Sequence, residues 1–278
     1  MTFAERYDVA AARWPRGSSA VDVPTSWGRT HVLVAGPAGA DPVVLLHGGG
    51  ATATVWSGVA GALAGRFRVL APDQPGDPGR SAVARPIRAT ADLTAWLTEL
   101  LAALGTGPVH LVGHSAGAHL ALTAALAGSC PVSSLVLLDP TACFAGFSPR
   151  YLMHAVPVLV RPTPARVRRF LAWETGGRPV DPDWLDLYVA GATAFPRGRL
   201  VRTRRPSRAG LAGLRVPTLV VVAGRSRAHD PGRVARSARA LLPSVRVVEM
   251  AGATHHTVPD LDAAEIAAAI AGHADRVG

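Results

Sequence analysis

Six short apolar runs, each separated from the next by at least enough chain for a helix, constrain this 278-residue sequence more than any other feature. They are Val43–Leu46, Arg68–Leu70, Val109–Val112, Leu135–Leu138, Thr218–Val222 and Val245–Val248, rich in valine and leucine, with Arg68, His110, Thr218 and Arg246 their polar members. A strand that is apolar at consecutive positions must bury both faces, which is the condition of a parallel strand covered by helices above and below. The intervening segments read as those helices: Thr54–Ala64, Thr90–Leu104, Ser115–Ala127, Pro231–Leu242 and Leu261–Ala271. Ahead of them, Ala20–Pro24 and Thr30–Val34 flank Ser26-Trp27-Gly28 and predict an antiparallel hairpin. The fold class is therefore α/β, a mostly parallel sheet of about eight strands with helices on both faces.

The alternation stops between Thr141 and Leu214, where Pro149, Pro157, Pro162, Pro164, Pro179, Pro182, Pro196 and Pro206 break up short helical pieces. This predicts a helical insertion over residues 141–214 in a core formed by residues 1–140 and 215–278. Phe144, Phe147, Tyr151, Phe170, Trp173, Trp184, Leu187, Tyr188 and Phe195 either roof a pocket above the strand ends or pack the insertion onto the sheet.

The formal charge of +10 and the pI of about 11.2 would ordinarily suggest nucleic acid. All 29 basic residues are arginine, however, and the sequence has no lysine or asparagine, a pattern of biased composition. Many of them, including Arg166, Arg168, Arg169, Arg202, Arg204 and Arg205, fall within the insertion, without the interleaved aromatic residues that a nucleic-acid groove uses. A solvated basic face is expected, with no nucleic-acid partner. A mean hydropathy of +0.23 with 49% hydrophobic residues excludes disorder, and no apolar run approaches the ~20 residues of a membrane span. No membrane partner is expected. The first residues lack a basic and then apolar leader, so a cytoplasmic location is expected. Cys130 and Cys143 are too few for a disulfide framework. Oligomeric state is not legible.

Gly113-His114-Ser115-Ala116-Gly117 joins the third apolar run to a helix-forming stretch. A serine between two glycines on a strand-to-helix turn is the G-x-S-x-G nucleophile elbow: the turn exposes the hydroxyl, and the glycines keep side chains from clashing where strand and helix cross. Ser115 is the candidate nucleophile.

Three further stretches, in order with the elbow, make the chain similar to the α/β-hydrolase superfamily from about Val21 to Ala271. They are Leu45-Leu46-His47-Gly48-Gly49-Gly50 at a strand end, Asp73-Gln74-Pro75-Gly76-Asp77-Pro78-Gly79-Arg80-Ser81, and Ala251-Gly252-Ala253-Thr254-His255-His256. The second resembles that superfamily's D-x-x-G-x-G-x-S loop with one extra residue between the glycines. The resemblance implies an α/β-hydrolase fold with a helical cap and a serine esterase-like activity on a small-molecule acyl substrate, with no metal or organic cofactor. A serine hydroxyl needs an imidazole to accept its proton, and the resemblance gives that role to His255, with adjacent His256 the alternative. It gives the two N–H donors of an oxyanion hole to Ala116 and Gly49, with Gly50 as alternative. His47 and His114 match positions of structural histidines, while His110, His119, His154 and His229 match no motif.

The carboxylate of the triad departs from the pattern. The loop that usually supplies it reads Ala223-Gly224-Arg225-Ser226-Arg227-Ala228-His229-Asp230-Pro231, with Arg227 at the usual position. Asp230 in that loop and Asp139 at the end of the fourth apolar run are the two candidates. Other chemistry on the same scaffold, such as thioester release, carbon–carbon hydrolysis or perhydrolysis, and a non-catalytic ligand-binding member are the alternative readings.

Overall fold

The computed structural model describes residues 1–195, 201 and 203–277. Pro196 and Arg202, both singled out in the insertion by the sequence, lie outside the described residues. Among the described residues one sheet of nine strands organises the chain, ordered β1 (Ser19–Thr25), β2 (Gly28–Ala35), β4 (Arg68–Pro72), β3 (Pro42–Leu46), β6 (Val109–His114), β7 (Val132–Leu138), β8 (Thr218–Ala223) and β9 (Val245–Met250). The two-residue strand β5 (Ala82–Val83) pairs with β2. Pairings from β4 through β9 are parallel, whereas β1, β2 and β5 join antiparallel. Each of the six apolar runs lies in a strand.

Their continuous apolarity has the expected cause. Val44, Leu46, Leu111, Leu135, Leu137, Val220 and Val222 belong to one buried cluster, and the alternating Val43, Leu45, Val112, Val136, Leu138, Leu219 and Val221 to another. The first is covered by α3 (Thr90–Leu104), α4 (Ala116–Ala127) and α9 (Pro231–Leu241), through residues such as Trp96, Leu100, Leu120 and Val234. The second is covered by α2 (Ser57–Leu63) and α10 (Ala263–Ala274), through Val59, Leu63, Ile266 and Ile270. A 3-10 turn over Ala53–Trp56 precedes α2.

Two elements escape the sequence pattern. Helix α1 (Phe3–Ala11) buries only Tyr7 and Ala10, too few for an amphipathic signature, and β5 is too short for one. Between β7 and β8 lie α5 (Pro149–Val160), α6 (Pro164–Glu174), α7 (Pro182–Ala194) and α8 (Arg208–Ala212). Three of the prolines read as breakers instead start helices. Ser148, Thr163 and Asp181 each cap a helix whose first residue is Pro149, Pro164 or Pro182, where the missing N–H costs nothing and the fixed φ suits the helix.

Backbones also approach closely where α4 leaves β6. A Cβ on Gly117 would sit 2.4 Å from the Leu46 carbonyl oxygen and 2.5 Å from that of His47, and one on Gly113 2.3 Å from the Gly117 carbonyl oxygen. Gly117→Ala is expected to lower stability by roughly 1–3 kcal/mol through this overpacking. Gly61→Ala in α2, whose added methyl meets nothing within 4 Å, should be neutral or stabilising. Thermal midpoints of the two variants check the contrast.

Candidate active site

Ser115 sits between β6 and α4 with φ 55° and ψ −116°, a left-handed conformation that an L-residue holds only when its surroundings impose it. Here the Ser115 N–H donates to the Leu138 carbonyl at 3.0 Å and the Ser115 carbonyl accepts from His119 N–H at 3.2 Å. Only three described residues other than glycine have positive φ, and Asp139 at 41° is another of them. The strain therefore gathers where β6 and β7 end side by side.

Three side chains form a hydrogen-bonded line there. The Ser115 hydroxyl lies 2.9 Å from His255 Nε2, and His255 Nδ1 lies 2.6 Å from Asp139 Oδ2. Because the carboxylate accepts, Nδ1 carries the proton and Nε2 is left as the acceptor for the hydroxyl. Asp139 is fully buried. Its Oδ2 also accepts from the Ser226 hydroxyl at 2.7 Å, while Oδ1 accepts from Ala223 N–H at 3.1 Å and His229 Nε2 at 3.0 Å. Burial alone would raise the Asp139 pKa, but the charge and hydrogen bonds of His229 and His255 outweigh it and hold the carboxyl well below the usual range.

The structure does not bring Asp230 to this line. Asp230 caps α9, its Oδ1 accepting from Arg233 N–H at 2.8 Å, and both ring nitrogens of His255 are already engaged. Arg227 turns toward the insertion, where it donates to the Trp173 carbonyl and stacks its guanidinium on the Trp173 ring. The loop that could have supplied an acid instead supplies Asp139 with three of its four donors. His229 and Ser226 were not legible as site residues, since neither belongs to a motif; their place in that loop was the one available signal.

The loop carrying His255 is held from two sides. His114 Nε2 donates to the His255 carbonyl at 2.8 Å; burial first, then the nearby charges of His255 and His256, lower the His114 pKa to about 3, so it stays neutral. From α6, the fully buried Glu174 accepts from His255 N–H at 3.1 Å, His256 N–H at 3.1 Å and His256 Nδ1 at 2.9 Å. Burial pushes the Glu174 pKa up, but the His256 charge and these bonds prevail and set it at about 2. His256 is thus turned away from Ser115 toward Glu174, with its ring edge-on to Phe170 and Tyr188. Nothing in the sequence marked Glu174.

At the end of β3, His47 Nδ1 donates to the Gly48 carbonyl at 2.9 Å and its Nε2 accepts from Gln74 N–H at 3.0 Å, so it ties the glycine turn to the Asp73 loop. Asp73 in turn accepts from Ala53 N–H, Tyr7 hydroxyl and Arg80 N–H at 2.8–2.9 Å. Gly50 N–H donates to Asp77 Oδ1 at 3.0 Å, and Gly49 lies beside Ala116, whose Cβ is 3.8 Å from where a Cβ on Gly49 would sit. His110, His119 and His154 bond to the Ser134 hydroxyl and to the carbonyls of Arg204 and Arg150.

Gly49 and Ala116 both line a cleft of about 690 Å³, with Ile87, Leu93, Leu120 and Phe195 among its apolar walls. Of the nine apolar or aromatic residues singled out in the insertion, only Phe195 lines it. Tyr151, Phe170, Trp173, Trp184 and Tyr188 pack on one another in a separate cluster over the His255–His256 loop, because helices α5 to α7 need an apolar interior of their own.

A sequence model of the alpha/beta hydrolase family matches residues 43–269. Carboxylesterase YbfK of Bacillus subtilis is 30% identical over 177 residues, covering 63% of this chain and 58% of that protein. An uncharacterized carboxylesterase, nap, of the same organism is 25% identical over 261 residues, covering 90% of this chain and 85% of that protein. The alignment thus spans less than two thirds of YbfK. The crystal structure of naproxen esterase from Bacillus subtilis superposes with a TM-score of 0.90 over 97% of this chain and 96% of that one at 23% identity, a likeness of fold.

Acid should unfold the protein through the two groups that hold the histidine loop. An unfolded His114 takes up a proton below about 6.5 while the folded one resists it to about 3, so stability falls with pH across that window. Glu174 adds a second loss from about 4.5 down to about 2, where its carboxylate is protonated. Denaturant midpoints measured against pH should show the decline, and Glu174→Gln should lower stability at neutral pH while flattening the lower part of the curve.

Proposed function

The chain belongs to the alpha/beta hydrolase family, and on that premise we propose that it hydrolyses carboxylic esters of small molecules through an acyl-enzyme on Ser115. The observation that carries the reading is the unbroken line from the Ser115 hydroxyl through His255 to the buried Asp139. The related carboxylesterases support the choice of ester as substrate.

In the proposed reaction His255 Nε2 takes the Ser115 proton as Oγ bonds to the ester carbonyl carbon and the carbonyl electron pair moves to oxygen. The N–H groups of Gly49 and Ala116 donate to that oxyanion without having to reorganise. Collapse breaks the bond to the alkoxide, which leaves as the alcohol with the proton held on Nε2. Water then repeats the sequence on the acyl-enzyme and frees the acid. Asp139 keeps the Nδ1–H tautomer and stabilises the imidazolium. Residues 141–214 act as a cap, and the apolar cleft beside Gly49 and Ala116 takes one side of the ester.

Labelling with a fluorophosphonate should be abolished by Ser115→Ala; label retained by that variant rules out Ser115 as nucleophile. Asp139→Asn is expected to reduce kcat by roughly 10³–10⁴ with little change in KM. Asp230→Asn, which preserves the cap of α9, should leave kcat at the wild-type value. Steady-state kinetics on an activated acyl ester distinguishes the two.

A further inference from the structure

Helix α5 is apolar on both of its faces. Tyr151, Ala155 and Val158, at helical spacing, point inward and pack with Val167, Phe170 and Leu171 of α6. On the outer side Leu152, Met153 and Val156 are 44%, 65% and 49% exposed, and the same stripe continues to Leu159 and Val160. Phe147, just before the helix, is exposed as well. Ala155 is the one residue of α5 that is buried. A surface helix normally turns polar residues outward, so a stripe of this kind marks a face that meets something apolar.

The charge around the stripe selects what that is. From Pro149 to Trp173 the sequence holds Arg150, Arg161, Arg166, Arg168 and Arg169 and no acidic residue. Arg168 pairs with Asp186. Among the described residues Arg150, Arg161, Arg166 and Arg169 have no carboxylate partner. A second copy of this chain, set helix to helix, would bring this arginine-rich rim against itself. An anionic bilayer surface matches both features at once: the apolar side chains enter the boundary of the acyl chains while the arginine stems reach back to the phosphates.

We infer that the outer face of α5 docks the protein laterally on anionic lipid surfaces. No helix of the described residues is long and apolar enough to cross a membrane, so the attachment is by one face. The same helix carries Tyr151, whose ring lies 6.3 Å from that of His255, so docking holds the candidate active site next to the bilayer. Docking does not depend on the ester-hydrolase reading. Its consequence, that bilayer-dissolved esters are favoured substrates, rests on it.

The test uses the full chain carrying Ser115→Ala, so that binding is read without turnover, sedimented with vesicles of phosphatidylcholine alone or mixed in equal parts with phosphatidylglycerol. Binding is expected on the mixed vesicles, to weaken as salt rises, and to fall roughly tenfold when Met153→Ser and Val156→Ser are added. In the chain with Ser115 intact, the same two changes should leave kcat/KM on a water-soluble ester unchanged; failure of that activity alone would count against the proposed function and not against docking. Absence of binding to the mixed vesicles overturns the inference. So does binding that survives the double substitution, or a dimer in sedimentation velocity that the double substitution dissolves.

Discussion

The carboxylate of Asp139 is the point on which the site depends. Removing an ionised carboxyl from water costs several kcal/mol even after relaxation, and the cost is recovered only if its lone pairs are filled by well-placed donors. Four donors fill them: the Ala223 amide at the end of β8, the Ser226 hydroxyl and His229 ring in the loop beyond, and His255 after β9. One buried charge therefore binds together the C-terminal ends of β7, β8 and β9. His229 donates through Nε2, and its buried Nδ1 has no partner among the described residues, which indicates that its place is set by the carboxylate and not by a balanced network of its own. The carboxylate thus fixes the histidine that approaches Ser115 and also the loop that flanks it.

Steric closeness sets the other half of the geometry. Gly117 lets α4 pass within contact of the β3 carbonyls, and those carbonyls belong to Leu46 and His47, the residues that open the glycine turn. The hydroxyl of Ser115 and the amides of Gly49 and Ala116 are therefore placed by the same crossing of helix and strand. Positive φ at both Ser115 and Asp139 stores strain at neighbouring strand ends, held by the Ser115 N–H bond to Leu138 and the Asp139 N–H bond to Val221 at 2.7 Å. A rigid parallel sheet can hold such strain because its strand ends have no freedom to relax singly.

How much of this was legible in the sequence follows from the range of the forces. Val43–Leu46 or Thr218–Val222 announce themselves because burial on two faces demands apolar side chains at every position, and the elbow because the crossing demands small residues on either side of Ser115. Pro149, Pro164 and Pro182 misled as breakers, since their meaning depends on the capping Ser148, Thr163 or Asp181 before each. The choice between Asp139 and Asp230 was not legible. It turns on how far each strand end stands from the imidazole, a distance across the sheet that no local pattern encodes. Glu174 and His229 escaped for the same reason, being joined to the histidine loop or to Asp139 only by the fold.

The insertion does more than stand above the strand ends. Helix α6 ends in Glu174, which receives the backbone of both His255 and His256; α7 sets the Tyr188 hydroxyl 3.5 Å from the Gly49 carbonyl; and α5 brings Tyr151 beside His255. These contacts buttress the histidine loop and the glycine turn from one side, while the cleft opens on another, between the chain from Gln74 to Leu93 and the side chains of Phe195, Val201 and Thr203. Support and access are thus assigned to different parts of the same inserted segment. Changes to α6 or α7 act on the geometry of the line from Ser115 through His255 to Asp139, whereas changes along the cleft act on the space beside Gly49 and Ala116. An apolar residue in place of Glu174 would leave the His255 N–H, the His256 N–H and His256 Nδ1 without an acceptor and out of reach of water.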